Sequence, residues 1–240
     1  NIKPEQVFVV YNAVMQDTDT SLMKELHVHD STWKGHHGQP EQLKLSTVLT
    51  SQSTIDFPGT QIYSDAAWSL EPGQAVAKAG IGVFLQISGQ HTDHLYISAV
   101  SPPVASALQA EAYGLLLAVK IAAQLHVQDP KFLIDSEVLA SAVVQPDITK
   151  AGPWAIRPIL AAIQTTPSFH PYRILKVHRS LNFKAHHQAR LAVKVQDKPF
   201  SSTCLHSDQG LGTNLERCPT CNELSAMSAQ PLELLFVECA

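Results

Sequence analysis

Residues 131–138 read KFLIDSEV, in which Phe132, Leu133 and Ile134 form an apolar run with the length and composition of a buried strand that stops on Asp135. Burying a carboxylate at the end of such a strand costs several kcal/mol unless something offsets its charge. A fold that keeps this strand inside must therefore supply Asp135 with a partner, and the search for that partner organises the rest of the chain.

The chain has 240 residues, 45% of them apolar and 16% charged, which is enough to bury the core of one domain with appendages. Its richest apolar run, LLLAVKIAAQL, is short and carries Lys120, which argues against a membrane-spanning helix. The opening NIKPEQVFVVYNAV lacks the basic head and long apolar block of a signal peptide, and a start on Asn1 in place of Met reads as a fragment of a longer reading frame. Cys204, Cys218, Cys221 and Cys239 all lie beyond residue 200, so they make no disulfide framework for the core and suit a reducing, intracellular compartment. The formal charge of -4 hides an uneven distribution. Residues 173–198 hold Arg173, Lys176, Arg179, Lys184, Arg190, Lys194 and Lys198 against the single acid Asp197, a stretch suited to meeting phosphate.

Residues 1–58 show no sustained period and read as a poorly structured lead-in. Between Phe57 and Ser101, TQIYSDAAW, AGIGVFLQIS and DHLYISAVS alternate with Gly-, Pro- and polar-rich connections, which predicts an antiparallel meander. The strongest helix follows, SALQAEAYGLLLAVKIAAQL, with Ser106 and Gln109 in capping-box spacing and Leu108, Ala112, Leu115 and Val119 at helical spacing. Glu111 falls about 60° from Leu108 on this helix, inside the apolar stripe, so the helix carries a carboxylate toward the sheet. KFLIDS then predicts a fourth strand, EVLASAVV and WAIRPILAAIQ two helices, YRILKVHR a fifth strand and NFKAHHQARLAVKV a final basic helix. The order implies an α/β fold with a mixed sheet and helices on its faces, over residues 59–198. Residues 199–240 lose period and read as an irregular tail.

Asp65 ends the first strand, and a crossover through the long helix lays the fourth strand parallel to the first, which brings Asp65, Glu111 and Asp135 together. Three converging carboxylates repel one another and raise their pKa values unless cations neutralise them. An all-oxygen donor set favours a hard divalent ion, Mg²⁺ or Mn²⁺, that also takes phosphate oxygens. In a two-metal arrangement one ion activates water for in-line attack and the other stabilises the leaving oxygen, so such a site beside a basic helix points to phosphodiester hydrolysis.

In order and spacing, IYSDAAW, AGIGVFLQ, SALQAEAYGLLLAVKIAAQL, KFLIDSEVLASAVV and ILKVHRSLNFKAHHQARLA resemble the ribonuclease H-like domain attached to plant non-LTR retrotransposon reverse transcriptases, over roughly residues 60–195. The resemblance implies a five-stranded mixed sheet in the order 3-2-1-4-5 and Mg²⁺-dependent cleavage of the RNA strand of RNA/DNA hybrids. It implies Asp65, Glu111 and Asp135 as catalytic and metal-binding acids, and a place within a longer reverse transcriptase polyprotein. It also carries two departures. Where such enzymes generally have a fourth acid early in the last helix, the segment NFKAH places His186, as is familiar among the plant members. Imidazole brings no negative charge and is a less natural Mg²⁺ ligand, although it can move protons near neutral pH; a weaker second ion, lower activity or a need for Mn²⁺ follows. Where many relatives have Gly after the first acid, this chain has Ala66.

Arg179 and Lys184 flank the turn into the last helix and are the candidate phosphate contacts. Cys204, His206, Cys218 and Cys221 contain a C-x-x-C pair but a cramped first half for a zinc site, with thiols in a tail as the plainer reading. No Gly-rich phosphate loop is present, which argues against a nucleotide triphosphatase. A nucleic-acid-binding module on the same fold, without turnover, is the alternative function, and His186 is the residue that favours it.

Overall fold

The computed structural model describes residues 59–70, 72–87, 93–167, 169–195, 199–204 and 219–239. The lead-in expected over residues 1–58 lies outside them. Apolar and alternating runs become strands where expected. β1 (Gln61–Ala67) pairs antiparallel with β2 (Gly80–Ile87), which pairs antiparallel with β3 (Asp93–Val100). The helix that follows, α1 (Ala107–Gln124), opens on Ser106, whose side chain accepts a hydrogen bond from Gln109 N at 3.2 Å, while Gln109 Oε1 accepts one from Ala105 N at 3.0 Å. This reciprocal cap satisfies amide groups that the first turn leaves without helical partners.

From α1 the chain returns through β4 (Lys131–Ile134), parallel to β1, then α2 (Glu137–Val143), α3 (Arg157–Gln164), β5 (Ile174–Lys176) parallel to β4, and α4 (Phe183–Val195). The segment predicted as one helix, WAIRPILAAIQ, is a 3-10 turn over Trp154–Ile156 running into α3, with Pro158 in the first turn of α3, where its missing N–H costs no hydrogen bond. Among the described residues, no helix is long and apolar enough to cross a membrane.

Among the described residues the sheet has seven strands in the order β5-β4-β1-β2-β3-β7-β6. Its first five members, read from β3, take the order 3-2-1-4-5, and the fold is mixed α/β with helices against the sheet. The five expected strands are present in the expected order and two more extend the sheet beyond β3, so the irregular tail expected over 199–240 needs correction. That region contributes β6 (Ser201–Cys204), α5 (Pro219–Ala226) and β7 (Glu233–Cys239), with β7 antiparallel to β3 and β6 parallel to β7. The reason is non-local pairing. β7 buries alternate residues, Leu235, Val237 and Cys239, and its hydrogen-bonding neighbour β3 is remote in sequence, while SSTC has no apolar period to read.

Period two along β2 divides the core. Ile81, Val83 and Leu85 are fully buried in the cluster that contains Leu115, Leu117 and Val119 of α1. Gly80 and Gly82 point the other way, under α4, where a Cβ on Gly82 would stand 2.0 Å from Ala185 O and one on Gly80 would stand 2.2 Å from Ala189 O. Bare backbone on β2 therefore lets α4 lie close to the sheet. Gly82→Ala is expected to destabilise the protein by about 3 kcal/mol, since backbone rather than a movable side chain opposes the methyl group; a denaturant midpoint unchanged from the parent's would refute this packing.

Candidate active site

Parallel register places two of the three acids. Gln61 stands beside Lys131, Ile62 beside Phe132 and Tyr63 beside Leu133, so Asp65 and Asp135 lie equally far beyond the last paired residues. The third acid comes from the helix between them. Glu111 is in the second turn of α1, and Gly114, one turn on, lets α1 approach β1 so closely that a Cβ there would lie 3.3 Å from Asp65 O. One carboxylate oxygen each from Asp65, Glu111 and Asp135 lies within 4.8 Å of the others. The structure thus gathers the three predicted acids from within β1, from just past the end of β4 and from a helix; β1 runs on to Ala67, so Asp65 does not end it as expected but lies beyond its pairing with β4.

His186 joins them. Asp65 lies opposite Gly82 in the β1–β2 pairing, on the face that α4 covers, and His186 Nδ1 is 2.8 Å from Asp65 Oδ2. The other oxygen of Asp65 accepts a hydrogen bond from Ala66 N at 2.7 Å. Asp65 is thereby held at both oxygens while only 3% exposed. His187 is exposed on the next position of the helix.

Crowding of like charges out of water decides the electrostatics. Burial pushes the Glu111 carboxyl up to about 9, and the charges of Asp65 and Asp135 add to the rise, against a smaller opposing effect of the Arg179 guanidinium. Burial and then the Asp135 charge raise Asp65 above the usual carboxylate range, opposed by its hydrogen bonds from Ala66 and His186. Asp65 and Glu111 are therefore harder to ionise than isolated carboxyls, as expected for carboxylates crowded together out of water.

The two basic residues chosen from sequence take different positions. Arg179 is exposed at the start of a 3-10 turn, Arg179–Asn182, near enough to act on Glu111. Lys184 places Nζ 4.1 Å from the ring centroid of Phe84 and 5.9 Å from that of Tyr96, and partial burial pulls its pKa below the usual lysine value. Tyr96, Lys184, His186 and Arg190 line an open depression along α4.

Asn182 was missed in the sequence. It is fully buried, and its Nδ2 donates to Ser64 O at 3.0 Å, tying the start of α4 to β1 one residue before Asp65. Gln188 does the same further along, accepting from Ser98 Oγ at 2.9 Å. Polar residues at helical spacing from the buried Ala185, Ala189 and Ala192 were the available signal, because an Asn or Gln on an apolar stripe must find a partner.

The donor set fits a hard divalent cation. All three groups offer oxygen, they converge within common reach, and the mutual repulsion that helps raise Asp65 and Glu111 is the kind a divalent cation between them would offset.

No protein-family profile matches the sequence, and no curated protein matches it. Several solved structures are similar to the chain at low identity. RNase H1 from the halophilic archaeon Halobacterium salinarum is 19% identical, with a TM-score of 0.47, over 56% of this chain and 97% of that one. The N-terminal RNase H domain of a Mycobacterium tuberculosis protein is 20% identical, with a TM-score of 0.46, over 58% and 96%. LC11-RNase H1 from compost, solved in complex with an RNA/DNA hybrid, is 20% identical, with a TM-score of 0.46, over 58% and 99%. Overlap at this level carries no functional conclusion.

Proposed function

We infer that the chain is a metal-dependent endoribonuclease that hydrolyses the RNA strand of RNA/DNA hybrids. The observation that carries this reading is the convergence of Asp65, Glu111 and Asp135, three oxygen donors within 4.8 Å of one another, at the end of a sheet flanked by a basic helix. The resemblance of the five core segments to plant non-LTR reverse transcriptase domains supports the substrate class and a retroelement origin within a longer polyprotein.

In this reading Asp65, Glu111 and Asp135 would hold Mg²⁺, with Mn²⁺ as substitute. The ions supply charge to activate water and to stabilise the leaving oxygen of an in-line displacement. Asp65 is kept in one orientation by Ala66 N and His186 Nδ1. His186, in the place of a fourth acid, orients Asp65 and is within reach to move a proton at the edge of the site. Arg179 and Lys184 contact phosphates and position the backbone. RNA is told from DNA through 2′-hydroxyl contacts and hybrid shape, without strong sequence preference.

A labelled-RNA cleavage assay on hybrid, duplex RNA and single-stranded RNA, with Mg²⁺, Mn²⁺ or EDTA, tests the reading. Cleavage is expected on the hybrid alone and is abolished by EDTA. The second reading, a binding module without turnover, is favoured by His186 and is recognised by salt-sensitive hybrid binding with no cleavage. His186→Asp separates them further. Restoring a carboxylate is expected to raise Mg²⁺-supported cleavage by about tenfold, the effect of roughly 1.4 kcal/mol on a barrier, and a variant as slow as the parent would show that position 186 does not take the part of a fourth acid. For the phosphate contacts, Lys184→Ala and Arg179→Ala should each weaken hybrid binding and lower the log–log salt slope by about 0.9, measured by fluorescence anisotropy; an unchanged slope would exclude that residue.

A further inference from the structure

At the β6–β7 edge of the sheet, three cysteines meet. Cys204 ends β6 and Cys239 ends β7, and the parallel register of these strands sets the two side by side. Cys221 is the third residue of α5, which packs against both strands. Each of the three sulfurs lies within 4.8 Å of the other two. Cys221 and Cys239 are buried, while Cys204 is partly exposed, leaving a route from solvent to the cluster.

Buried thiols commonly pack as small apolar groups, but that role does not require three of them, from three separate elements, to meet at one point. A disulfide needs sulfurs at about 2.05 Å and joins only two. A tetrahedral zinc centre with Zn–S near 2.3 Å places its sulfurs about 3.8 Å apart, which fits the observed limit with small side-chain adjustment. Cys221 is also the second cysteine of the segment CPTC, a spacing common in structural zinc sites, whose first member Cys218 lies outside the described residues, as does His206.

We propose that Cys204, Cys221 and Cys239 bind a zinc ion that fastens β6, α5 and β7 to the edge of the sheet. The need for such a clamp follows from size. β6 has four residues and α5 eight, and of α5 only Cys221 and Leu224 are buried. Elements this small bury too little apolar surface to hold themselves against chain entropy, and a metal joining their ends replaces the missing core. Soft thiolates select zinc, whereas the carboxylates of the other site select magnesium or manganese, so the two centres are chemically distinct. The proposal stands independently of hybrid cleavage.

The test uses the full chain purified under reducing conditions without chelator. Elemental analysis should find one equivalent of zinc, absent from the combined variant Cys204→Ser, Cys221→Ser, Cys239→Ser. Replacement of zinc by Co²⁺ in the parent protein should produce the intense thiolate-to-cobalt absorption in the near ultraviolet, and this reading does not depend on any variant folding. Removal of the zinc should lower the melting temperature by about 5 °C or more, with recovery on adding zinc but not Mg²⁺. A zinc-free protein that develops no cobalt–thiolate absorption would overturn the proposal, and so would a disulfide between Cys204 and Cys239 in that reduced preparation.

Discussion

Replacing Asp135 by Asn is expected to reduce hybrid cleavage by roughly a thousandfold or more, equivalent to about 4 kcal/mol of transition-state stabilisation. The substitution keeps shape and removes one formal charge from a donor set that holds only three acids, at a position equivalent in register to Asp65. Asp135 is only partly buried, so its loss leaves no cavity and relieves the repulsion that its charge exerts on Asp65 and Glu111. The variant should therefore melt no lower than the parent in the absence of metal. That combination separates a catalytic effect from misfolding. Single-turnover cleavage of labelled RNA at high Mg²⁺ reads the rate, and a variant within tenfold of the parent would contradict the assigned role.

The second large effect concerns Glu111 and pH. Its carboxyl ionises near 4.5 in an unperturbed setting and is pushed up to about 9 in the fold, chiefly by burial. A raised pKa means that the folded chain binds the proton more tightly than the unfolded chain. The associated stability is complete below about pH 4.5 and is lost as pH rises toward about 9. Without metal, the protein should lose stability across this window by at most about 1.4 kcal/mol per pH unit from this group, with Asp65 contributing in the same direction. Glu111→Gln carries no such charge, so its stability should overtake that of the parent increasingly between pH 5 and pH 8, and saturating Mn²⁺ should stabilise the parent most at the alkaline end. Denaturant titrations across pH decide the matter. A parent and variant with parallel stability profiles would show that Glu111 ionises freely, away from the other acids.

Much of this site was legible because it is built from periodic elements. The apolar runs ending at Asp65 and Asp135, together with the phase of Glu111 on its helix, were enough to bring the three acids to one place once a crossover joined the parallel strands. His186 could be placed in the last helix by its spacing after Asn182, but its approach to Asp65 depends on Gly80 and Gly82, whose missing side chains admit α4 to the sheet. Glycines within a strand signal close backbone approach without naming the partner. β6 and β7 were not legible for a different reason: β7 takes its place between β3 and the four-residue edge strand β6 through hydrogen bonds to segments remote in sequence more than through its own pattern. The cysteine cluster shares that origin, since Cys204 and Cys239 become neighbours only through the pairing of those two strands.

Anomalous scattering from a crystal grown with Mn²⁺ addresses the carboxylate site directly. A strong peak is expected at coordination distance, about 2.1 Å, from oxygens of Asp65, Glu111 and Asp135 together, and it should vanish in Asp135→Asn. A well-ordered crystal at millimolar Mn²⁺ with no peak among these side chains, or with manganese bound only elsewhere on the molecule, would contradict the cation site on which the nuclease reading depends.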